Sequence, residues 1–189
     1  MGEFQLQTKG LAEALNDADV GGAILGGGGI LALVFEWSGR KQQVVHADWT
    51  WLDSPAAIAD FAGRLSLAKR GFDEFPTALG HALGYAGIQL ARAPMTCRRR
   101  VIDLSGDGVN NDGFGPASAY RAQDFSGVTV NGLVIKGADP DPEAYYRDRV
   151  IRGPGAFVEL AVRYSDYGRA MKRKLLREIG GGAIADANP

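Results

Sequence analysis

The stretch Arg100-Val101-Ile102-Asp103-Leu104-Ser105-Gly106-Asp107-Gly108-Val109-Asn110-Asn111-Asp112 decides how the rest of the chain is read. Val101, Ile102 and Leu104 make an apolar run too short for a helix, and it breaks into Gly106, Asp107, Gly108 and a pair of asparagines. The pattern predicts a buried strand that ends in an acidic turn. In an open α/β sheet the loops splay apart at the carboxyl ends of the strands, so a carboxylate there is a candidate contact for a metal ion or a substrate. Asp107 falls at the turn and Asp103 within the apolar run. Asp103, Ser105 and Asp107 alternate, which puts all three on one face.

Working outward, Gly115-Pro116 starts a helix to about Phe125 and Gly127 ends it, and Val128 to Ile135 reads as the next buried strand. The span 142–150 reads as a short helix carrying Tyr145 and Tyr146, and 156–162 as a last strand after Gly153-Pro154-Gly155. Ser165 is placed to cap a final helix that Gly180 stops, with a disordered tail over 181–189. Its bases Arg169, Lys172, Arg173, Lys174 and Arg177 read as a solvated face rather than a contact for an acidic partner.

Upstream, the chain opens with an amphipathic helix on Phe4, Leu11, Ala14 and Leu15. The segment 21–29, with six glycines, reads as a loop. A phosphate cradle would need a strand before the glycines and a lysine or helix start after them, and here a strand follows instead. That strand, Ile30 to Trp37, is nearly all apolar and predicts burial on both faces; Gln43 to Leu52 pairs with it as a hairpin. Ser54-Pro55 starts a helix. Another covers about 77–90, where Gly80, Gly84 and Gly87 suit close packing against the sheet.

The 189 residues, 46% hydrophobic, support one good core and a single domain. A net charge of -1 provides no broad field for nucleic acid or an anionic membrane, and no apolar run approaches membrane-spanning length. Cys97 is the only cysteine, so no intrachain disulfide or zinc cluster arises. Strands alternating with helices predict an α/β fold with a parallel sheet.

The order Phe35-Glu36-Trp37-Ser38, Pro76-Thr77-Ala78-Leu79-Gly80, the stretch 100–111, Val130-Asn131-Gly132-Leu133, Tyr145-Tyr146-Arg147 and Gly153-Pro154-Gly155-Ala156-Phe157 resembles a known family over 4–180. It is a bacterial family of uncharacterised proteins related to the von Willebrand factor A domain (domain of unknown function 1194). The resemblance implies a doubly wound, mostly parallel, Rossmann-like sheet with helices on both faces. It also implies a metal-ion-dependent adhesion site at the carboxyl edge, built from an Asp-x-Ser-x-Ser loop, a threonine and an aspartate around Mg²⁺, whose open position takes a partner's carboxylate. Carried over by position, the metal residues are Thr77 and Asp107. The chain has no Asp-x-Ser-x-Ser, and its first residues match the helix that follows that loop. The expectation is therefore a single domain over 1–180, amino-terminally truncated, with its central first strand missing and Mg²⁺ held weakly or not at all. The family is usually exported to the periplasm or outside, and the missing segment would carry any export signal.

Two functions remain open on the residues. One is a non-enzymatic interaction module for an unidentified protein partner, with its sheet gap filled in one version by a second copy's strand as a swapped dimer. It rests on the lack of a nucleophile and base pair: His46 and His81 lie on a strand and a helix away from the acidic turn, and Cys97 adjoins Arg98 without a base. The other is a Mg²⁺-dependent phosphohydrolase using Asp103 or Asp107, with Lys136 and Asp139 as its further groups. Structural alternatives stand beside each site residue: Thr77 as a helix cap, Asp107 as an Asp-Gly turn residue, Asp103 as a buried hydrogen-bonding group, and Asn110 and Asn111, candidates to orient the loop or contact a partner, as turn formers.

Overall fold

A computed structural model describes residues 2–73 and 76–185, with side chains described as far as 180. The chain is α/β, and the 1–180 span contains two compact units.

The first unit takes in residues up to Val34, the segment Val45–Arg70 and the chain from Arg163 onward. Helix α1 (Glu3–Asn16) lies against α3 (Pro55–Ser66) and α7 (Tyr167–Ala185). Leu15, Val20, Ile24, Leu52, Phe61 and Leu65 fill its core. Ser54 caps α3 by accepting from the Ala57 amide at 3.2 Å, with Pro55 at the first position, as the sequence predicts. The α1–α7 contact depends on two glycines: a methyl group on Gly10 would fall 2.9 Å from the backbone nitrogen of Gly168.

Three expectations are corrected here. The glycine-rich segment is not a loop throughout, because α2 (Ala18–Gly26) occupies most of it. Each helical glycine costs about 1 kcal/mol. Burial of Val20 and Ile24 on one face, and capping of the helix by Asp17, offset that cost. The last helix does not stop at Gly180 but runs to Ala185, and Ser165 lies in a preceding 3₁₀ turn (Tyr164–Asp166) instead of at its cap. Of the expected tail, 186–189 lie outside the described residues. Finally, the basic face of α7 is not all solvated. Lys172 binds Asp17 and Asp19 at 2.8 Å each, and Lys174 is fully buried with its Nζ 2.6 Å from Glu178 Oε1.

Strands β1 (Ile30–Trp37) and β2 (Gln43–Leu52) form a two-stranded sheet. The 38–42 connection is far too short for a parallel crossover, so the pair is a hairpin. The expected burial of β1 on both faces is not found: all eight residues are only partly buried. Among the described residues β2 is its one strand neighbour, which leaves half of its surroundings without sheet.

The second unit comprises Phe35–Val44 and Gly71–Val162. Its sheet is parallel, in the order β3-β4-β5, from β3 (Arg100–Gly106), β4 (Val128–Ile135) and β5 (Val158–Ala161). Being central, β4 is buried at every position but Thr129, as a strand flanked on both edges should be. Strand β3 is not buried throughout as its apolar run predicts. Ile102 and Leu104 enter the core with Val130 and Val134, whereas Asp103 on the other face is exposed, so its expected buried role is corrected.

Helix α4 (Leu79–Ala91) packs against α5 (Pro116–Ala122), and its glycines serve that contact rather than the sheet. A methyl group on Gly87 would meet Gln123 Oε1 at 2.1 Å, and Gln123 donates to the Gly84 carbonyl at 2.9 Å. The span 142–150 is α6 (Pro142–Tyr145) followed by a π-helical turn (Tyr146–Val150). Tyr146 is completely buried over two glycines: methyl groups on Gly106 and Gly132 would lie 2.6 and 2.7 Å from its hydroxyl and ring.

The buried pair on α7 has a measurable consequence. Lys174→Ala removes the buried ammonium that pairs with Glu178 and is expected to destabilise the fold by about 3–5 kcal/mol. Lys174→Met with Glu178→Leu recovers most of that loss, and urea denaturation of the single and double variants checks both.

Candidate functional site

Two loops meet at the carboxyl end of β3. One is the entry to α4, carrying Thr77; the other is 106–115, which leaves the strand through Asp107 and Gly108. Asn111 joins them, accepting from the Thr77 amide on Oδ1 at 2.7 Å while its own amide donates to the Thr77 carbonyl at 2.9 Å. The Asp112 amide adds a second donor to that carbonyl at 3.2 Å. Asn110 Oδ1 accepts from the Gly80 amide at 3.2 Å, so the first turn of α4 is capped from the other loop. Thr77 is not the cap, since α4 has Ala78 at that position and no capping bond from a side chain of its own entry. The Thr77 hydroxyl instead faces the acidic turn: a methyl group on Gly108 would lie 3.2 Å from Oγ1.

Of the residues singled out in the sequence, Thr77, Asp107, Asn110 and Asn111 are therefore assembled in one place. Asp107 is exposed at the rim, and Asp103 is exposed further back along the strand. Lys136 is engaged elsewhere, 2.8 Å from Glu143, and Asp139 is exposed beyond the end of β4. Among the described residues no three His, Cys, Asp or Glu side chains form a metal-holding cluster, and no helix is long and apolar enough to cross a membrane.

The family follows from the whole chain rather than from this corner of it. The family described as a protein of unknown function (DUF1194) matches residues 1–183. The chain belongs to that family. No curated protein matches it in sequence. Its fold is similar to proximal thread matrix protein 1 from the mussel byssus, with a TM-score of 0.66 and 12% identity over 92% of this chain and 41% of that one. It is also similar to a von Willebrand factor type A protein from Catenulispora acidiphila, with a TM-score of 0.54 and 18% identity over 90% of this chain and 38% of that one. The DUF1194 chain thus spans about two fifths of each of those chains, and the likeness is one of fold.

Around the two loops the DUF1194 chain places side chains that sequence reasoning missed. His81 does not lie away from the acidic loop: its ring stacks on Phe114 at 3.9 Å, and a methyl group on Gly113 would meet its Nε2 at 2.5 Å. Gly113 has φ +65°, a backbone conformation that disfavours any side chain there. The available signal was spacing, since His81 follows Thr77 by one helical turn. Arg40, from the β1–β2 connection, holds Asp112 at 2.7 Å, and the Ala78 amide donates to the Ser38 carbonyl at 2.9 Å. The Tyr145 hydroxyl lies against the same loop, where a methyl group on Gly115 would be 3.8 Å from it, and burial raises its phenol above the ordinary range.

Charge holds the loop at its outer side. The hydrogen bond from Arg40 lowers the Asp112 carboxyl below its ordinary 3.8, and the same contact raises the guanidinium. A depressed carboxylate contributes stability above its unfolded pKa and loses it as pH falls through the folded value. Arg40→Gln should therefore lower the melting temperature at neutral pH, with the deficit closing as pH falls below the ordinary 3.8 of an aspartate and through the lower folded value. Parallel thermal melts of both proteins from pH 2 to 7 check the sign.

Proposed function

We propose that this DUF1194 chain is a non-enzymatic protein–protein interaction module of von Willebrand factor A type, presenting its partner surface at the carboxyl end of β3. The observation that supports it is the meeting of the Thr77 hydroxyl with the Asp107–Gly108 turn, clamped by Asn111. One hydroxyl and one carboxylate, with water, make two protein ligands of an octahedral Mg²⁺ shell, and a partner carboxylate is the natural further ligand. The adhesion site is incomplete in the described residues, which offer no third such loop, so Mg²⁺ alone binds weakly. Phosphohydrolase chemistry draws no support from the geometry, because Lys136 is taken up by Glu143.

In this reading the two small sheets belong to one doubly wound, mostly parallel domain with helices on both faces. Among the described residues, β1 and β3 each have a single strand neighbour. Each therefore offers an edge that a further strand can pair with, including one from a second copy of the chain.

Titration with MgCl₂, followed by amide NMR, tests the site. Saturable shifts centred on Thr77, Asp107 and Gly108 are expected, with a dissociation constant on the order of 1 mM or weaker. Thr77→Ala and Asp107→Ala should each abolish them, and shifts confined to other acidic residues would sink the assignment. Sedimentation equilibrium tests the swapped strand: a dimer that dissociates only on unfolding is expected, and a monomer that unfolds cooperatively rules the swap out.

A further inference from the structure

A second surface of the same compact unit carries a different chemistry. Beside α5 and the π-helical turn lies a groove of about 390 Å³, whose lining includes Tyr120, Arg121, Asp148, Arg149, Ile151 and Arg152. Among the described residues none of these three arginines forms an ion pair, whereas Arg40, Arg64, Arg147, Arg163 and Arg169 all do. The protein is close to neutral overall, so three unneutralised guanidinium groups around one groove are a local excess of positive charge.

The frame beneath them is fixed. Arg152 pairs its backbone with Val130 in both directions, at 2.7 and 3.0 Å, and its guanidinium lies 4.8 Å above the Tyr120 ring. Tyr120 in turn donates its hydroxyl to the Val150 carbonyl. Arg121 Nη2 donates to Ser118 Oγ at 3.0 Å, leaving its other donors available. Cation–π contact orients the Arg152 guanidinium without satisfying its N–H groups. A guanidinium fork matches the oxygens of a tetrahedral dianion bidentately, and prior ordering lowers the entropic cost of binding.

We propose that this groove binds a phosphate monoester. Its phosphoryl oxygens take donors from Arg121, Arg149 and Arg152, and its organic carrier rests on the Tyr120 and Ile151 side. A singly charged carboxylate suits the groove less well, since three cations stand there against the one carboxylate of Asp148. The groove is independent of the Thr77 and Asp107 loops, and the proposal stands or falls separately from the interaction-module reading.

Isothermal titration with phenyl phosphate and with inorganic phosphate, at low ionic strength and pH 7.5, tests it on the full chain. One saturable site is expected for both, tighter for phenyl phosphate, with benzoate at least about tenfold weaker than phenyl phosphate. Arg149→Gln and Arg121→Gln, both at exposed positions, should each weaken binding about tenfold, and Asp148→Asn should strengthen it by removing a repulsive charge. Opposite signs at adjacent positions separate direct contact from a loss of folding, which circular dichroism checks. Absence of saturable binding at millimolar phenyl phosphate, or affinities indifferent to all three substitutions, overturns the proposal. Equal affinity for benzoate and phenyl phosphate overturns its choice of ligand.

Discussion

The clamp between Thr77 and Asn111 is the constraint on which the carboxyl end of β3 depends. Two loops from different elements are joined by a pair of reciprocal hydrogen bonds to one residue's backbone, with the Asp112 amide adding a third. Ordering two loops has a large entropic cost, and several mutually supporting bonds at one point offset it better than scattered ones. The rest follows from that junction. The capping bond from Asn110 fixes the start of α4. The bare Cα of Gly80 lets the other loop approach so closely that a methyl group there would be 2.0 Å from the Phe114 carbonyl oxygen. His81 and Phe114 can then stack, which places an exposed aromatic on a rigid support.

Much of this was legible in the sequence, and what was not has a physical reason. Apolar runs located β1, β2 and β4 to the residue, because a strand's hydrophobic content is a local property. Burial is not local: β1 has the composition of a doubly covered strand yet is only partly buried, since composition says nothing about how many neighbours a strand has. The glycine-rich segment misled in the other direction, because tertiary burial of Val20 and Ile24 overrides weak helix propensity. At the candidate site, Thr77, Asp107 and a loop-orienting Asn111 could be named, while the residue that Asn111 holds could not. Its turn chemistry is visible in the sequence, but its partner is 34 positions away.

The short motifs that carry the family resemblance are explained largely by packing. Asn131 is buried and accepts from the Phe157 amide at 3.0 Å, tying β4 to the turn ahead of β5. Gly132 and Gly106 leave room for the Tyr146 ring, and Gly153, at φ +94°, passes so close to the Val128 carbonyl that a methyl group would lie 2.5 Å from it. Motifs of this kind specify a fold, and function has to be argued from what the fold presents at its surface.

Two surfaces meet that description, and one segment supports both. Tyr145 reaches the acidic loop at Gly115, while Arg149, one helical turn later, lines the basic groove. Val150 and Arg152 anchor the same segment to Tyr120 and to β4. A helix made only of 3.6-residue turns would shift these positions relative to one another, and the π-helical turn sets the spacing at which Tyr146 stays buried while its neighbours reach two different surfaces. The acidic loop and the basic groove are thus joined through one segment, which is seated by the burial of Tyr146 over Gly106 and Gly132.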